Sequence, residues 1–261
     1  MTNLQRLKHL LTASDRVRRE EKAIMSLAQF VRTRNIFAER EIDLLLDVGA
    51  NCGQFATEIR SFYKGEILSF EPVSTAFDQL EEKAAGDERW KCFRLALGSK
   101  AETGFIRVAQ GTNLSSFLEP TPFCQRFGDE ARTVREEQVV IRRLDEFLDE
   151  AFSDLEHRRI FLKVDTQGFD MEVIKGLGKH VRDISALQLE VSVLPIYEEM
   201  PHWTESIALC ERAGFSISGM FPVMMDCLRV IEFDCVMVRD EVMSHPNEAQ
   251  TMNCAGSVVA V

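Results

Sequence analysis

The most constraining feature of this chain is a glycine-containing turn between an apolar run and an amphipathic segment. The run covers residues 42–46, the turn reads Asp-Val-Gly-Ala-Asn-Cys-Gly at 47–53, and apolar residues recur at helical spacing over 55–62. The order strand, turn, helix is typical of α/β sheets, in which such a turn lies at the carboxyl end of a strand, where ligands bind. Gly49 and Gly53 would permit a tight turn and the close approach of a ligand to the backbone.

The same alternation continues along the chain. We expect strands at residues 42–48, 66–70, 90–97, 160–164 and 186–191, and helices at 54–63, 74–85, 144–151, 171–177 and 202–213. Repeated strand–helix units predict an α/β fold with a mostly parallel sheet and helices on both faces. The last two strands, 215–220 and 235–238, are separated only by a short, broken segment at 222–233, so an antiparallel hairpin is expected to close the sheet.

The first forty residues carry apolar side chains at spacings of three and four, among them Ile24, Leu27 and Val31. This spacing predicts one or two amphipathic helices that pack on the main domain or cover its site. We therefore expect a helical N-terminal extension over residues 1–40.

A main domain is predicted over residues 41–240, interrupted by a different kind of segment at 103–143. Residues 104–110 and 137–143 have β character and flank a loop that contains prolines and a glycine. The segment is expected to be an insertion of strands and loop, of the kind that is usually functional or mobile. Residues 241–261 are small, polar and aperiodic, which predicts a disordered tail.

The composition narrows the possible partners. The formal net charge is −11, and it is uneven, because residues 1–40 carry nine Lys and Arg against four Asp and Glu. An acidic body argues against nucleic acid, whose binding needs clustered basic residues. No apolar run approaches the length of a membrane span. Seven cysteines without a C-x-x-C pair indicate reduced thiols, so a cytoplasmic location is expected.

An acidic residue ends the second predicted strand, in the sequence Ser-Phe-Glu-Pro at 69–72. Glu71 follows the glycine turn by about twenty residues, a position at which a carboxylate accepts hydrogen bonds from ribose hydroxyls. The alternative is that Glu71 caps the helix that follows Pro72. The spacing Gly-x-x-x-Gly lacks the third glycine of the pyrophosphate-binding pattern. A nucleoside ligand is therefore favoured over a dinucleotide.

Five short motifs occur in order within residues 43–238. They are Asp-Val-Gly-Ala-Asn-Cys-Gly at 47–53, Phe-Glu-Pro at 70–72, Asn-Leu-Ser-Ser at 113–116, Arg-Leu-Asp at 143–145 and Leu-Lys-Val-Asp-Thr-Gln-Gly-Phe-Asp at 162–170. In these motifs the chain resembles the FkbM-type family of class I S-adenosylmethionine methyltransferases. Many members have Glu at the position of Gln167, so this chain departs from the family pattern by having an amide there.

The resemblance implies a Rossmann-like, seven-stranded, mostly parallel sheet with an antiparallel last strand, and S-adenosylmethionine as the cofactor. It also implies methylation of a hydroxyl oxygen on a sugar, glycan or natural product, so the expected partner is a small-molecule or carbohydrate acceptor. The residues expected at the cofactor are Asp47, Gly49, Asn51, Gly53, Phe55, Glu71, Pro72, Leu97, Asn113, Ser115 and Asp165.

Polar residues interrupt two predicted central strands, which should be apolar on both faces. Lys163 and Asp165 are two residues apart, as are Gln188 and Glu190, so each pair lies on one face of its strand. Buried charge is costly unless it is paired. We expect a polar cluster that opens into the active site; the alternative is a purely structural ion pair of Lys163 with a carboxylate.

Methyl transfer to an alcohol needs a group that accepts the hydroxyl proton. Asp165 is the first candidate for this base, and Lys163 and Glu190 complete the predicted catalytic set. Asp165 and Glu190 holding Mg²⁺ is a less favoured alternative. His202, at the start of a predicted helix, is a further possible base, although a lone histidine there is more often a capping residue.

Two other functions are compatible with the same patterns. The chain could bind a cofactor without catalysis, as a scaffold in which Asp165 is structural, because a fold does not establish an activity. A nucleotide-dependent oxidoreductase is disfavoured by the incomplete phosphate motif.

Overall fold

The computed structural model of the chain describes residues 3–226 and 228–240, and side-chain environments from residue 19 onward. The helices are α1 (Asn3–Glu39), α2 (Gln54–Arg60), α3 (Ser74–Ala84), α4 (Leu144–Ala151), α5 (Asp170–Gly176) and α6 (Trp203–Arg212). The strands are β1 (Leu44–Val48), β2 (Glu66–Phe70), β3 (Trp90–Phe93), β4 (Ala96–Gly98), β5 (Glu102–Ala109), β6 (Thr133–Arg143), β7 (Ile160–Val164), β8 (Ile184–Ser192), β9 (Phe215–Asp226) and β10 (Arg229–Arg239). The predicted tail at 241–261 lies outside the described residues.

The described residues form a seven-stranded sheet in the order β3-β2-β1-β7-β8-β10-β9. Strands β3, β2, β1, β7 and β8 are parallel, and β10 runs antiparallel to both of its neighbours. The predicted fold class is confirmed. None of the helices in the described ranges has the length and apolar character needed to cross a membrane.

The central strands are buried on both faces, which explains their continuous apolar sequences. Leu44 and Leu46 on β1 pack in a core with α4 and α5, whereas Leu45 packs in a second core with α1 and α2. The sheet therefore has a helical layer on each side, and successive residues of one strand serve different cores.

The predicted third strand at 90–97 is divided in the structure. The Leu95 N–H donates to the Phe93 carbonyl, which turns the chain after β3. The following residues form β4, which pairs in parallel with β6 in a separate three-stranded sheet of order β4-β6-β5. The strands predicted at 104–110 and 137–143 are confirmed as β5 and β6, which pair antiparallel.

The N-terminal segment is one helix, α1, but its predicted apolar face is wrong. Ile24, Leu27 and Val31 are 63%, 61% and 46% exposed. The buried row instead includes Ile36 and Phe37. The Phe37 ring makes edge contacts with the Phe62 and Tyr63 rings in the segment after α2, and such contacts add to the free energy of burial. Both rows have helical spacing, so the spacing could not decide between them.

The closing hairpin is longer than predicted, and the segment 222–233 is not a broken loop. Most of it belongs to β9 and β10, which pair from Phe215 with Arg239 to Asp226 with Arg229 through several register shifts. Pro222 is tolerated because β9 is an edge strand, where a missing N–H removes no required ladder hydrogen bond.

Gly49 fixes the turn after β1 against the end of β7. Its φ is +72°, in the left-handed region, and its N–H donates to the Phe70 carbonyl. A Cβ at this position would overlap the backbone carbonyl of Asp165. The close approach of two strand ends therefore depends on the absence of a side chain at Gly49.

We predict that Gly49→Ala lowers the free energy of unfolding by at least about 3 kcal/mol, because it adds a backbone clash to the cost of a positive φ. Gly86→Ala is the matched control. Gly86 also has a positive φ, 86°, but its Cβ would meet nothing within 4 Å. Its expected cost is about 1–2 kcal/mol. Denaturant unfolding measures both values, and equal losses would contradict the proposed packing.

Candidate active site

A cavity of about 650 Å³ lies at the carboxyl edge of the sheet. It extends from Glu71 after β2 to Asp234 on β10, and α1 and α2 contribute to its walls. Most of the predicted site residues line it: Gly49, Asn51, Phe55, Glu71, Pro72, Leu97, Asn113, Ser115, Lys163, Asp165 and Glu190. Asp47 and Gly53 do not line it but lie directly behind residues that do.

The turn between β1 and α2 forms one wall of the cavity. Gly53 precedes α2 in a left-handed conformation, and a Cβ at this position would press against the Leu80 and Trp90 side chains. Asn51 also has a positive φ, 46°, and its side-chain oxygen accepts hydrogen bonds from the Cys52 N–H at 2.7 Å and from the Thr112 hydroxyl at 3.1 Å. The turn is thereby joined to the segment that contains the Asn-Leu-Ser-Ser motif.

Glu71 presents a buried carboxyl group to the cavity. Its two oxygens accept backbone N–H bonds from Asn51 and Val73, each 2.8 Å long. Val73 is the residue immediately before α3, so Glu71 binds the backbone at the start of this helix, as the capping alternative predicts. The same carboxyl group also lines the cavity. The side chain is 6% exposed, and burial raises its pKa to about 7. A carboxyl held in this way has oxygen lone pairs left for donors from a ligand.

Lys163 lies at the centre of the site. Its ammonium group is 3.2 Å from Asp165 Oδ2 and 3.6 Å from Asp47 Oδ1, and it donates to the Gly49 carbonyl at 3.2 Å. The side chains of Lys163 and Asp47 are 8% and 0% exposed, whereas that of Asp165 is 34% exposed. The predicted polar cluster is therefore present, and within it Asp165 is the carboxylate that faces the cavity most openly.

The charges in this cluster oppose the effect of burial. Burial would raise the pKa of Asp165, but the charge of Lys163 and a hydrogen bond from Gln167 hold it below its usual value. Burial likewise opposes the charged form of Lys163, but the nearby carboxylates of Asp165 and Asp47 raise its pKa. Asp165 and Lys163 are consequently a charged pair at neutral pH.

Gln167 connects Asp165 to the next strand. Its Nε2 donates to Asp165 Oδ1 at 3.1 Å and to Glu190 Oε2 at 2.6 Å. Its Oε1 lies 3.0 Å from the Tyr197 hydroxyl, and its own φ is positive, 51°. Burial, followed by the charge of Asp165, raises the pKa of Glu190 well above its usual value. The amide thus serves as a donor to both carboxyl groups, a function that a carboxylate at this position could not supply.

Two further residues at the site, Asp234 and Gln29, lie outside the sequence motifs. Asp234 on β10 pairs in register with Glu190 and lines the cavity. Gln29 on α1 donates its side-chain Nε2 to Asp234 Oδ2 at 2.6 Å. Asp234 carried an available signal, because acidic residues two apart in a strand, Glu232 and Asp234, resemble the pattern noted in the other strands. Gln29 carried no such signal.

The sequence left open two alternatives, His202 as the base and a Mg²⁺ ion held by Asp165 and Glu190. His202 does not line the cavity, and its Nδ1 accepts a hydrogen bond from the Thr204 N–H as the N-cap of α6. It is a capping residue rather than a base candidate. The carboxyl groups of Asp165 and Glu190, which are the alternative Mg²⁺ ligands, both accept hydrogen bonds from the Gln167 amide. Within residues 3–226 and 228–240, no group of three or more His, Cys, Asp or Glu side chains is arranged to hold a metal ion.

A family model and a curated protein match the sequence of this chain. The family model of the methyltransferase FkbM domain matches residues 47–217, more than half of the chain. A curated protein, methyltransferase sdnD of Sordaria araneosa, is 25% identical over 224 residues, which cover 73% of this chain and 83% of that protein.

Two solved structures that match this chain have low sequence identity to it. Magnesium protoporphyrin IX methyltransferase from Synechocystis, solved with bound S-adenosylmethionine, is 8% identical with a TM-score of 0.45 over 85% of this chain and 83% of its own. Fibrillarin of Aeropyrum pernix, in complex with the same cofactor, is 10% identical with a TM-score of 0.43 over 75% and 66% of the two chains.

The family match covers the glycine turn, Glu71 and the strand that carries Lys163 and Asp165. The family favours methyl transfer over the oxidoreductase alternative. The chain belongs to the FkbM family of methyltransferases, and its cofactor is S-adenosylmethionine.

Proposed function

We propose that this protein transfers the methyl group of S-adenosylmethionine to a hydroxyl oxygen of a sugar, glycan or natural-product small molecule. The observation that carries the proposal is the position of Asp165. It is a charged, partly exposed carboxylate between the wall formed by the glycine turn and the wall formed by β8 and β10. A reacting hydroxyl placed there would have a proton acceptor within the same cavity.

The residues of the β1–α2 and β2–α3 turns fit the cofactor. Glu71 has carboxyl oxygens available for the donor hydroxyls of a ribose, and no ion pair described in the structure includes it. Gly49, Asn51, Phe55, Leu97, Asn113 and Ser115 would complete the cofactor site, with Pro72 beside Glu71. Asp47 and Gly53 would support the turn from behind, Asp47 through Lys163 and Gly53 through its packing.

When bound, S-adenosylmethionine supplies a methyl group on a sulfonium, which is transferred in line to a nucleophile. An alcohol is a weak nucleophile, and Asp165 would accept its proton as the new oxygen–carbon bond forms. The proton then rests on the Asp165 carboxyl group and passes to solvent through the open side of the cavity.

Lys163 and Glu190 have supporting roles in this proposal. The Lys163 ammonium group keeps Asp165 ionised, and its contact with Asp165 Oδ2 fixes the orientation of the carboxylate. The raised pKa of Glu190 favours a neutral carboxyl group in the free protein, and one of its oxygens accepts a hydrogen bond from Gln167. The structural alternative of a Lys163 ion pair and the catalytic role of Asp165 are therefore parts of one arrangement.

The same features favour a small-molecule acceptor over nucleic acid. Five carboxyl groups line the cavity: Glu58, Glu71, Asp165, Glu190 and Asp234. These groups would repel phosphates.

We also propose a cytoplasmic location, from the reduced cysteines of the sequence, of which five are free thiols in the described part of the chain.

The affinity for S-adenosylhomocysteine is expected to fall as the pH drops below about 7. The ribose hydroxyls donate to ionised Glu71, whose pKa of about 7 in the free protein means that acid protonates the binding form. The limiting slope for one proton is about ten-fold per pH unit. Calorimetric titrations between pH 5.5 and 8.5 measure the affinity for S-adenosylhomocysteine at each pH. In Glu71→Gln the affinity should be weaker and this part of the pH dependence absent; equal slopes in both proteins would remove Glu71 from the cofactor site.

Asp165→Asn should reduce methyl transfer by about 10²- to 10⁴-fold, because it removes the proton acceptor. The assay follows labelled methyl from S-adenosylmethionine into a pool of extracted small molecules, with the product tested for an ether linkage. Affinity for S-adenosylhomocysteine, which lacks the sulfonium charge, should fall far less than turnover, because the other expected cofactor residues are kept. Asp129→Asn, at an exposed position outside the cavity, is the matched control. Undiminished turnover in Asp165→Asn would refute its role as the base, and no transfer by the unmodified protein to any pool would favour the scaffold alternative.

A further inference from the structure

We propose that the end of the cavity formed by β8 and β10 binds a protonated amine on the acceptor, close to the hydroxyl that is methylated. This inference rests on the proposed function, because it assigns a chemical class to the acceptor of that reaction. The binding groups are Glu190 on β8 and Asp234 on β10, together with Gln188, which precedes Glu190 by two residues on β8 and is in register with Lys163.

Two carboxyl groups lie together at this end of the cavity without a basic partner in the described part of its lining. Glu190 and Asp234 are opposite each other on neighbouring antiparallel strands, and both line the cavity. Among the described residues that line it, Lys163 is the only basic side chain, and it is already paired with Asp47 and Asp165. No counter-ion for the Glu190–Asp234 pair is therefore supplied by the lining itself.

The second observation is a buried acceptor without a donor. Gln188 lines the cavity, is 2% exposed, and lies in register with Lys163 on one side and Val236 on the other. Its Oε1 has no hydrogen-bond partner among the described residues. An unsatisfied buried oxygen carries a free-energy cost that a donor from a ligand would remove. An ammonium group offers three such donors and no acceptor.

The third observation is the way in which Asp234 is held. The Gln29 side chain reaches it from α1, so the carboxyl group is fixed between a helix and the sheet instead of extending into solvent. Ser26, Phe30 and Thr33 of the same helix also line the cavity. The helix therefore encloses the Glu190–Asp234 pair, and a charge bound there would be only partly screened by water.

The electrostatics favour a cation over a neutral or anionic group. Burial, followed by the charge of Asp165, raises the pKa of Asp234 to about 7, with opposing contributions from Gln29, Lys163 and Gln188. Glu190 experiences the same burial and the charges of Asp165, Glu232, Asp234 and Asp170. Two carboxyl groups in this setting resist ionising together, and a cation between them relieves that repulsion. A hydroxyl would form hydrogen bonds there without relieving it, and a carboxylate or phosphate would increase it.

The test uses three probes with the same six-carbon polyol chain: 1-amino-1-deoxysorbitol, which is cationic at neutral pH, sorbitol, which is neutral, and gluconate, which is anionic. Their affinities are measured by calorimetry at pH 7.5, with the protein saturated once with S-adenosylmethionine and once with S-adenosylhomocysteine. We expect the amine to bind at least ten-fold more tightly than sorbitol with either cofactor, and gluconate to bind most weakly. No preference for the amine, or a preference for gluconate, would overturn the proposal.

The variant Asp234→Asn locates the site. It keeps the shape of the side chain and an oxygen that can accept from Gln29, so it should fold, which circular dichroism and thermal unfolding verify. The preference for the amine over sorbitol should fall to less than three-fold. Glu150→Gln, which removes one exposed charge from α4 outside the cavity, is the matched control and should keep the preference. An amine preference that is unchanged in Asp234→Asn would place the amine elsewhere and overturn the assignment.

A measurement on the unmodified protein provides an independent check. Because a cation favours ionised carboxyl groups, binding of the amine should release protons, and the observed enthalpy at pH 7 should vary with the ionisation enthalpy of the buffer. Binding without proton release contradicts the proposed partners. Failure of the proposed function has a different signature: S-adenosylhomocysteine would not bind, or Asp165→Asn would retain full turnover, and neither result depends on the amine.

Discussion

The site depends on the ion pairs that the buried ammonium group of Lys163 forms with Asp47 and Asp165. This group joins the end of β1 to the end of β7 by contacting Asp47, Asp165 and the Gly49 carbonyl. A lone charge at this depth would be very costly, and two carboxylates offset that cost. The result is a fixed relation between the turn that forms the cofactor wall and the carboxylate that faces the acceptor. Gly49 permits the same approach by having no side chain between the two strand ends.

From this centre the cavity can be divided along the order of the strands. Glu71 lies on the β2 side of β1, and Glu190 and Asp234 lie beyond β7, so the proposed cofactor and acceptor positions are on opposite sides of Asp165. Gln167 links the two halves, because its amide contacts both Asp165 and Glu190 while its oxygen approaches Tyr197. Helix α1 closes the acceptor side through Gln29. The active-site proposal thus assigns one segment of the sheet edge to each reactant.

Much of this architecture could be predicted because the signals are local. The glycine turn, the acidic end of β2 and the polar pairs on β7 and β8 are short motifs whose meaning follows from strand and turn geometry. The alternation of strands and helices likewise identified the parallel sheet. Contacts between residues far apart in the sequence have no local signal. The hydrogen bond from Gln29 to Asp234, for example, joins residues 205 positions apart. The spacing of Ile24, Leu27 and Val31 indicated a helix but not which of its faces is buried, since that depends on aromatic partners elsewhere in the chain.

A crystal structure of the complex with S-adenosylhomocysteine would show directly which end of the cavity holds the cofactor. We expect the ribose hydroxyls to form hydrogen bonds with the Glu71 carboxyl group and the thioether sulfur to face the space beside Asp165. The region around Glu190 and Asp234 should be left open for the acceptor. A nucleoside bound instead against Glu190 and Asp234, with Glu71 making no contact to it, would contradict the assignment of the two ends of the cavity.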